Sequence, residues 1–235
     1  MKFIVDSKLF DVLPTACFGV VAVQGLDNSG AKAPIETLLA KAIAEAEGYF
    51  ENVKIKEAAE ILPYREAFRA LEINPNKFMC SIEALLSRVA KKKGLPSINP
   101  VVDAGNAVSV KYRLPLGAHD IDSMLGDIEI RPAGTEDTFI PFGSTEAESP
   151  DAGEMVYVSG GEVRTRRWTW RQSEKGKITA DTTSVFFPID GFSDVNKEEV
   201  IKARDELAAL LHEQFGCRVI TGFVDKAQPE FSFTW

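Results

Sequence analysis

The spacing of apolar residues along this 235-residue chain predicts an α+β fold. Three observations lead there. In three long stretches apolar residues recur every three or four positions, the mark of a buried helical face. From Asp127 the pattern switches to period two, the mark of a half-buried strand. Strands and helices fall in separate blocks, with no regular β–α alternation.

Taken in order, Lys2–Val5 reads as a short strand. Ala16–Leu26 reads as a longer one, Val-rich and bounded by Pro14 and by Asp27, Asn28 and Gly30. A helix is predicted over Pro34–Phe50, with Leu38, Leu39, Ala42, Ile43 and Ala46 on its buried face and Pro34 in its first turn. Further helices are predicted over Pro63–Leu71, Ser81–Lys93 and Pro100–Lys111. In the second of these Ser81 is the expected N-cap, Lys91–Lys93 suit the negative end, and Gly94 stops the helix. Strands follow at Asp127–Arg131, Thr138–Pro141, Glu154–Val158, Glu162–Trp170 and Ser184–Ile189. The acidic stretch Gly143–Gly153 between them reads as a solvated loop. A strong helix over Asn196–Gln214 buries Val200, Ile201, Leu207, Leu210 and Leu211. Strands at Arg218–Val224 and Glu230–Thr234 close the chain, and one domain over 1–235 is expected.

Composition narrows the function. The chain is 45% hydrophobic, too apolar for a disordered segment. Its 35 acids against 27 bases leave a net charge of −8, which argues against a general nucleic-acid binder and against a DNA partner. No apolar run reaches the ~18–20 residues of a spanning helix. Asp6 and Asp11 interrupt the start where a signal peptide needs apolar sequence. Cys17, Cys80 and Cys217 are far apart and never in C-x-x-C spacing. A cytoplasmic protein with reduced thiols and no membrane partner is expected.

No phosphate loop, dinucleotide fingerprint, metalloprotease motif or nucleophile elbow is present, and no cofactor is expected. Of two histidines, His212 sits near a helix end, so a Ser-His-Asp relay would need His119, and nothing points to its serine. His119 lies in Gly117–Asp122 and Asn106 just upstream in Asn99–Asn106, polar residues set in apolar, turn-rich sequence. Two readings stay open. Asn106 and His119 position a small polar ligand, or they and Asp103, Asp120 and Asp122 serve as caps. A metal at Asp103, His119, Asp120 and Asp122 has no known loop spacing behind it, so none is expected.

The most unusual segment is Val163–Lys177, with Arg164, Arg166, Arg167, Arg171, Lys175 and Lys177 against the single acid Glu174. Trp168 and Trp170, two apart, are expected on one strand face, with Arg167 and Thr169 on the other. Basic groups pair with phosphates and indoles stack on bases, so this reads as a small nucleic-acid contact. The alternative is a pair of core tryptophans with surface ion pairs around them. The hydroxyls of Thr179, Thr182, Thr183 and Ser184 are candidates to line the same site.

The order of several motifs then resembles one family. These are Ser81–Val89, Leu95–Asp103, Asn106, Leu114–Asp120, Gly126–Ala133 and Thr182–Val185. Together they resemble the B3/B4 domain of the bacterial phenylalanyl-tRNA synthetase beta subunit, over about residues 60–190. The likeness is closer to free-standing B3/B4 proteins, where Tyr64-Arg65 precedes the helix and Arg167–Gln172 replaces a glycine-rich synthetase turn. The resemblance implies an unusual layered β-sandwich with flanking helices. It also implies an editing site that hydrolyses mischarged aminoacyl-tRNA by water attack on a positioned ester, without a protein triad. It implies no aminoacylating activity, since no ATP motif is present. Trp168 and Trp170 are expected to intrude on the amino-acid pocket. The acid that reads a tyrosine hydroxyl in the synthetase falls near Phe187-Pro188, where no carboxylate stands.

The function expected is therefore an RNA-binding module that takes the acceptor end of tRNA or aminoacyl-tRNA, with deacylation in trans as its possible reaction. Asn106, His119, Arg167, Trp168, Arg171 and Thr183 are expected to line the site. Asn106 and Thr183 would orient ester and water, and Arg167 and Arg171 would hold phosphate. The alternative is a small-molecule-binding protein or enzyme that keeps the fold without the RNA.

Overall fold

The computed structural model describes residues 1–30 and 32–235. Its first half contains strand β1 (Lys2–Val5), helix α1 (Ser7–Val12), β2 (Ala16–Gln24), α2 (Ala33–Tyr49), α3 (Leu62–Ala70), α4 (Ser81–Ala90) and α5 (Pro100–Tyr112). Its second half contains β3 (His119–Asp120), β4 (Ile128–Pro132), β5 (Met155–Ser159), β6 (Glu162–Arg166), β7 (Arg171–Gln172), β8 (Ser184–Phe192), α6 (Lys197–Phe215), β9 (Arg218–Asp225) and β10 (Glu230–Ser232).

The strands form two sheets, one ordered β10-β1-β4-β5-β6-β7 and one ordered β3-β8-β2-β9. β1 runs parallel to β4, and the other pairings are antiparallel. Phe3 of the larger sheet joins the two, with its ring 5.7 Å from Phe18 and 5.1 Å from Phe186 of the smaller. Helices cover the other face of the smaller sheet. Val200 of α6 lies against Gly19 and Gly191, where a Cβ on Gly191 would come within 2.4 Å of it. Phe187 lies against Gly105 of α5. The predicted α+β class and layered sandwich with flanking helices are thus the observed architecture. A strand enclosed on both faces need not alternate, and Ala16–Val23 of β2 are all buried.

Several element boundaries move. Cys80, not Ser81, holds the N-cap position of α4, with no side-chain cap bond, and the Ser81 amide donates to the Thr169 carbonyl at 2.8 Å. That helix ends at Ala90, before the lysine run. Thr138–Pro141 forms no continuous ladder and makes single bridges to Glu162, Glu148 and Ser173. α1 was not anticipated; it starts where the Asp6 carboxylate accepts from the Lys8 amide at 2.8 Å. The largest correction concerns Glu162–Trp170. The strand stops at Arg166, and Arg167–Trp170 turn back into β7. Arg167 and Trp168 both take left-handed backbone angles, φ 47° and 58°. Trp168 and Trp170 therefore do not share a strand face.

Candidate ligand-binding site

Strand β8 sets the site. Its alternation sends Val185, Phe187, Ile189 and Gly191 to one face, and Phe186, Pro188 and Asp190 to the other. Gly191 and Phe187 meet the helices, so Asp190 points into the space between the sheets. There its Oδ1 accepts from the Tyr157 hydroxyl of β5 at 2.6 Å and from Trp168 Nε1 at 2.8 Å. Its backbone carbonyl accepts from the Tyr64 hydroxyl of α3 at 2.9 Å. Asn196 in turn donates to that hydroxyl at 3.0 Å. Burial pushes the Asp190 carboxyl up to about 7, with the two donors on Oδ1 pulling the other way.

The left-handed turn delivers the indole. Each non-glycine residue held there stores roughly 1 kcal/mol or more of strain. The surroundings hold the turn in place. The Trp168 amide donates to the Met155 carbonyl at 2.6 Å. Its fully buried ring packs against Tyr64, Phe68 and Phe192.

Two cavities meet here. A chamber of about 70 Å³ is lined by His119, Tyr157, Trp168, Thr169, Arg171 and Asp190, among others. That is room for a few water-sized groups. A cleft of about 610 Å³ is lined by Asn106, Ile98, Val102, Phe142, Lys177 and Ile178, among others, and is of ligand-pocket size. Leu116 and Gln172 belong to both. Two residues that line the chamber carry buried atoms with no hydrogen-bond partner among the described residues, His119 Nδ1 and Thr169 Oγ1. Burial, and then the charge of Arg164, push the His119 imidazole down to about 3, so it is neutral at physiological pH.

The structure distributes the expected site residues. His119, Trp168 and Arg171 line the chamber, and Asn106 lines the adjoining cleft. Arg167 lines a separate cavity of about 430 Å³. Its guanidinium pairs with Asp151 at 2.6 Å and lies 3.9 Å over Phe78 and 4.7 Å over Trp170. The exposed Thr183 hydroxyl donates to Asp122 at 2.9 Å, outside both cavities. The Thr182 hydroxyl donates to Asp120 at 2.7 Å, while Thr179 lines the cleft. Asp103 accepts from Ser97 and from the Ile98 amide, a capping role. Among the described residues no cluster of three His, Cys, Asp or Glu side chains is arranged to hold a metal.

The basic segment differs most from expectation. Arg166 is held by both oxygens of Glu154 at 2.8 Å and by Glu148 at 2.8 Å. Arg164 is fully buried on Ser123 and Glu162. These two side chains are spent inside the protein, and the expected solvated loop Gly143–Gly153 supplies part of the counter-charge. Arg171 alone of the segment's arginines makes no ion pair among the described residues. Asp190 and Tyr157 were missed from sequence. A lone carboxylate inside the apolar run SVFFPIDGF was the available signal. No acid stands at Phe187-Pro188, yet the chamber does hold one, two residues further along the same strand face.

A family model described as the B3/4 domain matches residues 63–216. A crystal structure of an N-terminal fragment of the phenylalanyl-tRNA synthetase beta-subunit from Pyrococcus horikoshii is similar, with a TM-score of 0.47 and 14% identity. The likeness covers 92% of this chain and 49% of that one, so the chain spans about half the length of that fragment. No curated protein matches. No helix among the described residues is long and apolar enough to cross a membrane.

Proposed function

The chain belongs to the B3/4 domain family, and from that premise we propose that it binds the aminoacyl end of a tRNA and hydrolyses the ester in trans. The observation that supports this reading is the two-compartment site. A cleft large enough for a terminal nucleoside and ester adjoins a small polar chamber fit for the tip of a side chain. In this reading residues 60–190 form the site-bearing core of one unit. Asn106 orients the ester and its attacking water in the cleft. Arg171 and Lys177 meet phosphate at the rim. His119 and Trp168 line the side-chain compartment, and Arg167 and Thr183 hold the neighbouring turn and loop. The reading uses water attack and not a serine relay, since the neutral, buried His119 makes no hydrogen bond to a hydroxyl among the described residues.

A second reading is a free small molecule in the same cavities. One observation favours it: Arg164, Arg166 and Arg167 are already paired to carboxylates or buried, which leaves few cations for a phosphate backbone.

The deciding experiment is deacylation of a panel of mischarged tRNAs by the purified protein, at low and moderate salt, beside Asn106→Ala. Selective hydrolysis that the substitution lowers at least tenfold is the expected result. Absence of both hydrolysis and salt-dependent tRNA binding would overturn the proposal in favour of the second reading.

A further inference from the structure

Asp190 is a buried acid that no cation among the described residues neutralises. It is 2% exposed and forms no ion pair among the described residues. Oδ1 is fully used by Tyr157 and Trp168, whereas Oδ2 has no hydrogen bond among the described residues. The groups around it bring no compensating charge. Tyr157 from β5 and Tyr64 from α3 are held well above the phenol range by burial. Cys17 from β2 is a neutral thiol, pushed up to about 12 by burial. His119 from β3 is neutral. Arg171, the one cation lining the chamber, is exposed to solvent.

Asp190 Oδ2 therefore stands beside the chamber without a partner, and two other residues that line it, His119 and Thr169, carry buried polar atoms without partners among the described residues, Nδ1 and Oγ1. A primary ammonium carries three N–H donors and a positive charge. A hydroxyl has one donor and no charge, and a guanidinium fixes its donors in one plane. We propose that this chamber is a receptor for a primary ammonium at the tip of the ligand, with Asp190 as its counter-ion. The apolar wall of the adjoining cleft, Ile98, Val102, Phe142 and Ile178, takes the aliphatic stem. Lys177, which lines the cleft, faces the other, ester or anionic, end. The ligand class is an amine-tipped aliphatic acyl group. This inference rests on reading the paired cavities as a ligand site.

Binding is then linked to protons. The Asp190 carboxyl sits near 7, and an ammonium pairs only with its ionised form. At pH 6 roughly a tenth of it is ionised, so affinity should rise about tenfold between pH 6 and pH 8. The test titrates the full chain with n-butylammonium and with the neutral isostere n-butanol at both pH values, read by tryptophan fluorescence and the Trp168 indole NMR signal. The expected result is saturable n-butylammonium binding that tightens about tenfold with pH. Butanol should bind at least tenfold more weakly, with no pH dependence.

Asp190→Asn keeps an oxygen for Tyr157 and Trp168 but turns an N–H₂ toward the chamber. It should abolish ammonium binding and spare butanol binding. Thr169→Val removes a single acceptor and should weaken ammonium binding about fivefold, on the scale of one hydrogen bond to a charged group. Equal affinity for the two probes overturns the proposal, as does ammonium binding retained by Asp190→Asn. Should that variant fail to fold, the pH series on the unaltered chain decides alone. Hydrolysis of mischarged tRNA without n-butylammonium binding would overturn the ammonium receptor and leave the proposed function standing.

Discussion

Asp190 has a consequence for stability that does not depend on any ligand. Its carboxyl is raised in the folded chain to about 7 from an ordinary value near 3.8. Between these values the folded chain holds a proton that the unfolded chain has released. Stability therefore falls as pH rises through that window and levels off above it. The loss is on the order of a few kcal/mol, since each tenfold change in proton affinity is worth about 1.4 kcal/mol. Chemical denaturation at pH 5 and pH 8 should show this fall in the unaltered chain, and Asp190→Asn should flatten it. Parallel profiles for the two proteins would place the effect elsewhere. Arg166 makes the contrasting case. Its three bonds to Glu148 and Glu154 neutralise an acid that is almost wholly buried. Arg166→Ala leaves Glu154 without its main partner and should cost about 3–5 kcal/mol. Arg171→Ala, on the surface, should fall within roughly 0.5 kcal/mol of the unaltered chain. Neither Asp190 nor Arg166 could be placed from sequence, because the partners that define them lie far along the chain. Tyr157 and Trp168 are 33 and 22 positions from Asp190, and Glu154 and Glu148 are 12 and 18 from Arg166.

At the scale of elements, what was legible followed local periodicity. α2, α5 and α6 were placed within a residue or two, since their apolar spacing and their Pro and Gly boundaries are local signals. The turn after β6 was not legible, because left-handed angles at Arg167 and Trp168 carry no Gly or Asn to announce them. A turn of this kind is imposed by what its residues reach: Asp190 for the indole, and Asp151, Phe78 and Trp170 for the guanidinium. The contact of α6 with the smaller sheet depends on bare backbone in the same way. Gly191→Ala would drive a methyl into Val200 and should destabilise by about 1–3 kcal/mol. Pairing it with Val200→Ala should recover part of that loss, as a thermal-denaturation double-mutant cycle would show.

Across the whole molecule, an acidic chain keeps three arginines of its conspicuous basic segment to itself. Counting charges along the sequence exposed the segment, but only the packing of Glu148, Asp151, Glu154 and Glu162 around it shows that Arg164, Arg166 and Arg167 are turned inward while Arg171, Lys175 and Lys177 stay exposed. Two of the six expected site residues, Arg167 and Thr183, consequently stand apart from the cavities that the other four line. If tRNA binds, the salt dependence of its affinity should be shallow, and Arg171→Ala should lower the slope by about one. A steep slope untouched by that change would locate the phosphate contacts on another face. The larger sheet also carries a constraint on biosynthesis. β1 is flanked by β4 and by β10, and the Met1 and Phe233 backbones bond to each other across 232 positions. Phe3, the ring that joins the two sheets, is thus made long before β10, and its strand gains that outer neighbour only when β10 has left the ribosome. At roughly 5–20 residues per second that wait lasts about ten seconds or longer. Through it the nascent chain holds a strand whose β10 edge stays unpaired.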